Sequence, residues 1–179
     1  MAEIKTKASR VVYENRWMRV REDAIERQDG SPGIYGVVEK TDFAVIVPFD
    51  HGLIHLVEQY RYPVQGRYWE LPQGSWEDAP GTDPLDLARA ELREETGLTA
   101  VTMTHVGHLF ECYGYSTQGY NIYLAQGLQA GETKREPTEQ DMVSRPFPVE
   151  EVLVMIGDGV IKDAATVAAL GMLRLKGML

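Results

Sequence analysis

Cysteine is nearly absent from this 179-residue chain: Cys112 stands alone, so no intrachain disulfide can form and a reducing compartment is expected. Long apolar runs are also missing. None approaches the ~20 residues of a membrane span, and the N-terminal MAEIKTKASR has no apolar leader segment; the expectation is a cytoplasmic protein that binds no membrane. Cations are scarce relative to anions. Eighteen Lys and Arg face 27 Asp and Glu, for a net charge of −9, which argues against a nucleic-acid binder because counterion release needs a basic surface. Finally, there is no G-x-x-x-x-G-K-[ST] run, which excludes a phosphate-binding loop of that type.

The chain does have enough apolar content (44%) and length for one core without staples. Residues 9 to 40 alternate in part and break at Glu14-Asn15 and Asp29-Gly30, turn signals that predict a β-meander. FAVIVPFDHGLIHLVEQYRY then reads as a hairpin around Asp50-His51-Gly52. The clearest helix spans 84–96, with Asp83 as N-cap, Pro84 at the first helical position, Asp86 in the first turn and Gly97 as the stop. TAVTMTHVGHLFECYGY and QGYNIYLAQGL read as strands, 131–141 as a polar loop, and 142–147 as a short strand leading into a helix near Val149. VIKDAATVAALGMLRL closes the chain as a helix, with apolar positions 160, 161, 164, 167, 168 and 170. Strands, a helix, strands and terminal helices predict a mixed α/β domain. Two units are expected: an N-terminal meander over 1–40 and a larger domain over 41–179.

The predicted helix reads LARAELREETGL and brings Glu91, Glu94 and Glu95 into one narrow arc, beside Leu85, Ala88 and Leu92. Like charges at that spacing repel by about 0.2–0.5 kcal/mol per pair. A solvated acidic face is one explanation, helped by Arg89 and Arg93 nearby. The other is a cation. The preceding YWELPQGSWE supplies a strand, Glu70 and a Pro/Gly loop, and a strand–loop–helix bearing carboxylates can hold hard divalent metals through oxygen.

Here the chain resembles the Nudix hydrolases, whose signature is G-x5-E-x7-R-E-U-x-E-E-x-G-U with U apolar. Glu91, Leu92, Glu94, Glu95, Gly97 and Leu98 fit its second half. Strict spacing puts Trp76 at the leading glycine, so Gly74 fits only with two extra residues between it and the helix. The upstream Glu is Thr82, and the Arg is Ala90. In the family those two residues lie close enough to pair, so their joint loss leaves no orphan charge. Outside the box, LVEQYRYPVQGRYWELPQG is similar to the ADP-ribose and nucleoside-diphosphate-sugar pyrophosphatase branch, as are WMRVREDAIERQDG and the tail GVIKDAATVAAL.

The resemblance implies an α/β/α sandwich with a mixed sheet, plus a small N-terminal antiparallel sheet that helps form a homodimer. It implies metal-assisted hydrolysis of ADP-ribose or a related nucleoside diphosphate derivative, with Mg²⁺ or Mn²⁺. By the same carry-over Gln73 would offer its main-chain carbonyl to a metal, Glu91 and Glu95 would be side-chain ligands, and Glu94 would be a ligand or catalytic neighbour. Arg61 would contact the diphosphate or terminal ribose, and Glu70 the substrate or the metal's surroundings. Glu139 would help activate water, with Glu136 and Asp141 as competitors. Gln118 stands where the branch frequently has an acid.

Two alternatives remain open: a catalytically weak Nudix-fold module that binds a nucleotide or nucleotide sugar, motivated by Thr82 and Ala90, and an RNA 5′-end pyrophosphohydrolase, disfavoured by the acidic balance. His105 and His108, three apart in a strand, are expected on opposite faces and make a poor zinc pair. Tyr113, Tyr115 and Tyr120 suit packing better than base stacking.

Overall fold

The structure is a computed structural model that describes residues 3–79, 81–133 and 141–179. Three strands, β1 (Ile4–Glu14), β2 (Arg19–Arg27) and β3 (Pro32–Glu39), form an antiparallel meander in sequence order. Its turns lie where the sequence places them. Asn15 Oδ1 accepts from the amides of Trp17 and Met18, both at 2.9 Å. Asp29 Oδ1 accepts from the Ser31 amide, with Gly30 between them at φ +82°.

A second, seven-stranded sheet is built from β4 (Phe43–Asp50), β5 (Leu53–Arg61), β6 (Gly66–Glu70), β7 (Gln73–Gly74), β8 (Leu98–Phe110), β9 (Gly119–Ala130) and β10 (Val143–Pro148). Its order is β10-β5-β4-β9-β8, with β6 added to β5 and β7 to β4. The β4–β9 pair is parallel and the others antiparallel, so the sheet is mixed. The β4–β5 turn has His51 at φ 48° and Gly52 at φ 77°, two left-handed positions in succession, as a tight hairpin demands.

Helix α1 (Pro84–Thr96) covers one face of this sheet, while α2 (Val149–Gly157) and α3 (Ala164–Leu175) cover the other. The two-residue period of β4 divides its side chains between them: Ala44 and Ile46 pack with Leu87, Ala88 and Leu92 of α1, and Val45 and Val47 with Ala165, Ala169, Leu170 and Leu173 of α3. Three layers result, the α/β/α sandwich expected. α1 has the predicted bounds. Asp83 accepts from the Leu85 amide, and Gly97 adopts φ 73°.

Two local readings are corrected. α3 begins at Ala164, after an Asp163 cap, so Val160 and Ile161 lie outside it and its buried face is 165, 166, 169, 170 and 173. His105 and His108 share a face, because a bulge between His105 and Gly107 shifts the register: they pair with Tyr123 and Asn121, two residues apart on β9.

What positions the site is a split in the sheet. β4 and β5 pair only at Phe49–Ile54 and Asp50–Leu53; beyond that β5 pairs with β6, while β4 pairs with β7 and β9. The segment Leu71–Gly74 enters between them, with Pro72 O accepting from the Ile46 amide at 2.9 Å.

Candidate active site

A cavity of about 520 Å³ opens at this split, within the range of small-molecule sites. It gathers residues from five places in the chain: Phe43 at the start of β4, Arg61 at the end of β5, Glu70 at the end of β6, Gln73 and Gly74 on β7, and Asp163 at the start of α3. Lys40, Lys162, Glu111 and Gln118 add to the polar lining. Arg61, Glu70 and Gln73, all singled out from the sequence, are therefore brought together.

Glu70 is the buried hub, 2% exposed. Its carboxylate accepts from Gln59 Nε2 at 2.7 Å and from Arg61 Nε and Nη2 at 3.1 and 2.5 Å. Burial pushes Glu70 above the ordinary glutamate range, opposed by the Arg61 charge and hydrogen bond and supported by Asp163. For Arg61 burial acts downward, yet Glu70, then Glu95 and Asp163, hold it above its ordinary value. The arginine stays charged, with one face on Glu70 and the other toward the cavity.

Beneath the cavity floor lies α1. Glu91 and Glu95 are 6% and 1% exposed, which rules out a solvated acidic face. Glu94 is half-buried. Glu95 Oε2 accepts from the Gln73 amide at 3.0 Å. Gly74 stands against Glu91 so closely that a Cβ built on it would lie 2.4 Å from Oε2. A side chain at position 74 would displace the Glu91 carboxylate, and this close approach supports Gly74 as the residue that answers the signature's leading glycine despite the longer loop.

The donor type suits a hard divalent ion, since Glu91 and Glu95 are buried carboxylates and Glu94 is a half-buried third, all oxygen. Among the described residues no group of three or more His, Cys, Asp or Glu side chains forms a preassembled cage. That is compatible with Mg²⁺, which is commonly held by one or two carboxylates with water and substrate phosphate supplying the rest.

Other sequence candidates fall differently. Glu139 and Glu136 lie outside the described residues. Asp141 is ion-paired with Arg67 at 2.5 Å, which holds its carboxyl below the usual range, and it does not line the cavity. Gln118 is buried, and its amide donates to Thr41 O at 2.8 Å, fixing the β8–β9 loop to the strand entry. Tyr120 stacks on Phe43 with centroids 4.9 Å apart; burial, then Glu111 and Asp163, push its hydroxyl up to about 12. Thr82 and Ala90 line two different cavities, of about 90 and 340 Å³. Thr82 Oγ1 donates to Ala79 O at 2.9 Å.

Asp163 and Thr166 are site-building residues that sequence reading passed over. The signal was present: an Asp directly before a helical run is an N-cap. Its reach toward β7 was not visible, because it depends on α3 crossing the sheet. Lys40, Lys162 and Glu111 carry no motif at all.

Comparison with known proteins agrees with this geometry. Residues 4–38 match the nucleoside diphosphate sugar hydrolase N-terminal domain, and residues 39–170 match the NUDIX domain. An ADP-ribose pyrophosphatase of Mycobacterium tuberculosis is 32% identical over 168 residues, 93% of this chain and 81% of that protein. One of Bacillus subtilis is 29% identical over 176 residues, 97% of this chain and 94% of that protein. A solved structure described as an ADP compounds hydrolase superposes with a TM-score of 0.86 at 21% identity, covering 100% of this chain and 98% of its own, which shows the shared fold. With the NUDIX domain matched over most of its length and a relative 32% identical along 93% of it, the chain belongs to the Nudix family.

Proposed function

We propose that this Nudix pyrophosphatase hydrolyses the diphosphate bond of ADP-ribose or a closely related nucleoside diphosphate sugar, releasing a nucleoside monophosphate and a sugar phosphate, with Mg²⁺ or Mn²⁺. The observation that carries the reading is one cavity lined by Arg61, Glu70, Gln73 and Gly74, the last two in contact with Glu95 and Glu91 of α1 behind its wall. The names of the two ADP-ribose pyrophosphatases support the substrate class.

When bound, the ion would neutralise charge developing on the diphosphate oxygens and orient a water for in-line attack. Glu91, Glu95 and the Gln73 main-chain carbonyl would hold it, with Glu94 beside them. Arg61 commits Nε and Nη2 to Glu70, so a diphosphate in the cavity would meet its Nη1 edge. Glu70 thereby orients the cation instead of competing for the metal. Lys40 and Lys162 add positive charge at the rim. Glu139 is proposed as the carboxylate that accepts the water's proton. A homodimer through the N-terminal sheet belongs to the same proposal, since β1 is exposed along all 11 residues.

The test is phosphatase-coupled phosphate release from ADP-ribose, nucleotide sugars and dinucleoside polyphosphates, with Mg²⁺ or Mn²⁺, against Glu95→Gln. Turnover of ADP-ribose or a nucleotide sugar well above the variant is expected. Equality on every substrate rejects catalysis and favours a binding module.

A further inference from the structure

Thr166 is completely buried, in the first turn of α3 after the Asp163 cap. Its hydroxyl donates to Asp163 Oδ2 at 2.7 Å and accepts from the Leu71 amide at 2.9 Å. The same Asp163 oxygen accepts from the Thr166 amide at 2.7 Å and from Gln73 Nε2 at 3.3 Å. A capping residue needs only its own helix's amide. Here Asp163 also reaches chain 90 residues earlier, and Thr166 chain 95 residues earlier.

The segment so gripped is the one that builds the site. Glu70 precedes Leu71; Gln73 and Gly74 follow Pro72. From the opposite face of the sheet, Glu95 of α1 holds the Gln73 amide. Leu71–Gly74 is thus clamped between helices on the two faces. Donation to Asp163 aims the Thr166 oxygen's lone pairs away from that carboxylate and toward Leu71.

We infer that the Asp163–Thr166 turn is a positioning device for the reaction, setting where Glu70 and the Gln73 main chain stand relative to Glu91 and Glu95. It rests on the hydrolytic reading above. Neither residue needs to touch the reacting atoms for this role.

The experiment compares Thr166→Val, which keeps the shape and removes the hydroxyl, with Thr166→Ser, which keeps the hydroxyl. Three quantities are read on the full chain: kcat and KM for the best substrate of the panel, Mn²⁺ binding to the substrate-free protein by electron paramagnetic resonance of the free ion, and the thermal midpoint. In the valine variant kcat should fall, and Mn²⁺ binding weaken, by about tenfold or more, the usual cost of losing a partner that orients metal ligands. KM should stay within about twofold, and the serine variant should restore both quantities. A valine variant with a lowered midpoint but unchanged kcat and Mn²⁺ binding overturns the inference, because a purely structural role gives that pattern. If the valine variant does not fold, Thr166→Ala, which removes the hydroxyl without setting a methyl against Asp163, replaces it under the same criterion. A wild type inactive on the whole panel rejects the hydrolytic reading, while the Mn²⁺ arm still decides the clamp.

Discussion

Gly74 and Glu91 stand so close that the smallest possible side chain at position 74 would collide with the glutamate's carboxylate, 2.4 Å from Oε2 and 2.5 Å from Cδ. A glutamate tip can swing aside more easily than backbone can, so the cost of Gly74→Ala falls mainly on where that carboxylate points. Overpacking should cost about 1–3 kcal/mol of stability. The larger effect is functional: Mg²⁺ required for half-maximal activity should rise, and kcat/KM fall, about 10- to 100-fold. A metal titration of the variant checks this, and an unshifted curve would contradict Glu91's assignment.

Arg61 and Glu70 yield a pH prediction. The folded state holds the Glu70 proton to higher pH than the unfolded chain, because burial raises the carboxyl. The stability that follows is full below about pH 4.5, the unfolded value, and is lost as pH rises through the folded value. Arg61 pulls that value down, so Arg61→Met should raise it further and extend the loss toward neutrality. Thermal midpoints from about pH 5 to about pH 8 should fall more steeply in Arg61→Met than in wild type. Adding Glu70→Gln should flatten the slope. Parallel profiles for all three proteins would reject the argument.

Ala90 tests the altered box. It lines a cavity with Arg89 and Arg93, whereas Thr82 lines another with Trp76 and Asn121. Ala90→Arg adds a third cation beside two, so activity should not rise. Thr82→Glu must accompany it before any gain appears. A large gain in kcat/KM from Ala90→Arg alone would remove the idea that the two losses belong together.

The meander carries the dimer prediction. Val11, Val12 and Tyr13 on β1 are each about half exposed, as is Trp17 after it, and Ile34 on β3 is 71% exposed. β1 and β3 are the two opposite edges of the meander, and exposed apolar side chains on such edges favour pairing with another chain. Sedimentation velocity at micromolar concentration should show two copies, and Val11→Asp with Ile34→Asp should shift the population to monomer. A wild type that sediments only as monomer would count against it.

Much of this was readable in the residues alone. α1 could be bounded to the residue because its signals are local: an Asp83 side chain bonded two residues on, a proline at the first position, a glycine at φ 73°. The tight β4–β5 turn was legible for the same reason. The Glu91–Glu95 spacing pointed to a cation, and the E-L-P-Q-G run to the loop that faces it.

The misread parts have different causes, one a local cap passed over and the others contacts distant in sequence. A bulge in β8, set by its pairing with β9, put His105 and His108 on one face. The start of α3 moved to Ala164 because Asp163 took the cap. Whether Glu91 and Glu95 faced water or the core could not be read from a helical wheel, since both outcomes have the same spacing.

The family, the layered α/β class and the chemical identity of the carboxylates follow from residue order alone, because motif, cap and period are properties of neighbours along the chain. Folding alone makes β4 and β5 part, lets Leu71–Gly74 fill the opening, and brings Asp163 and Thr166 onto it from 90 and 95 residues away. Those depend on which strands win each other's hydrogen bonds and which buried amides find an acceptor, a competition that exists only once the chain is folded.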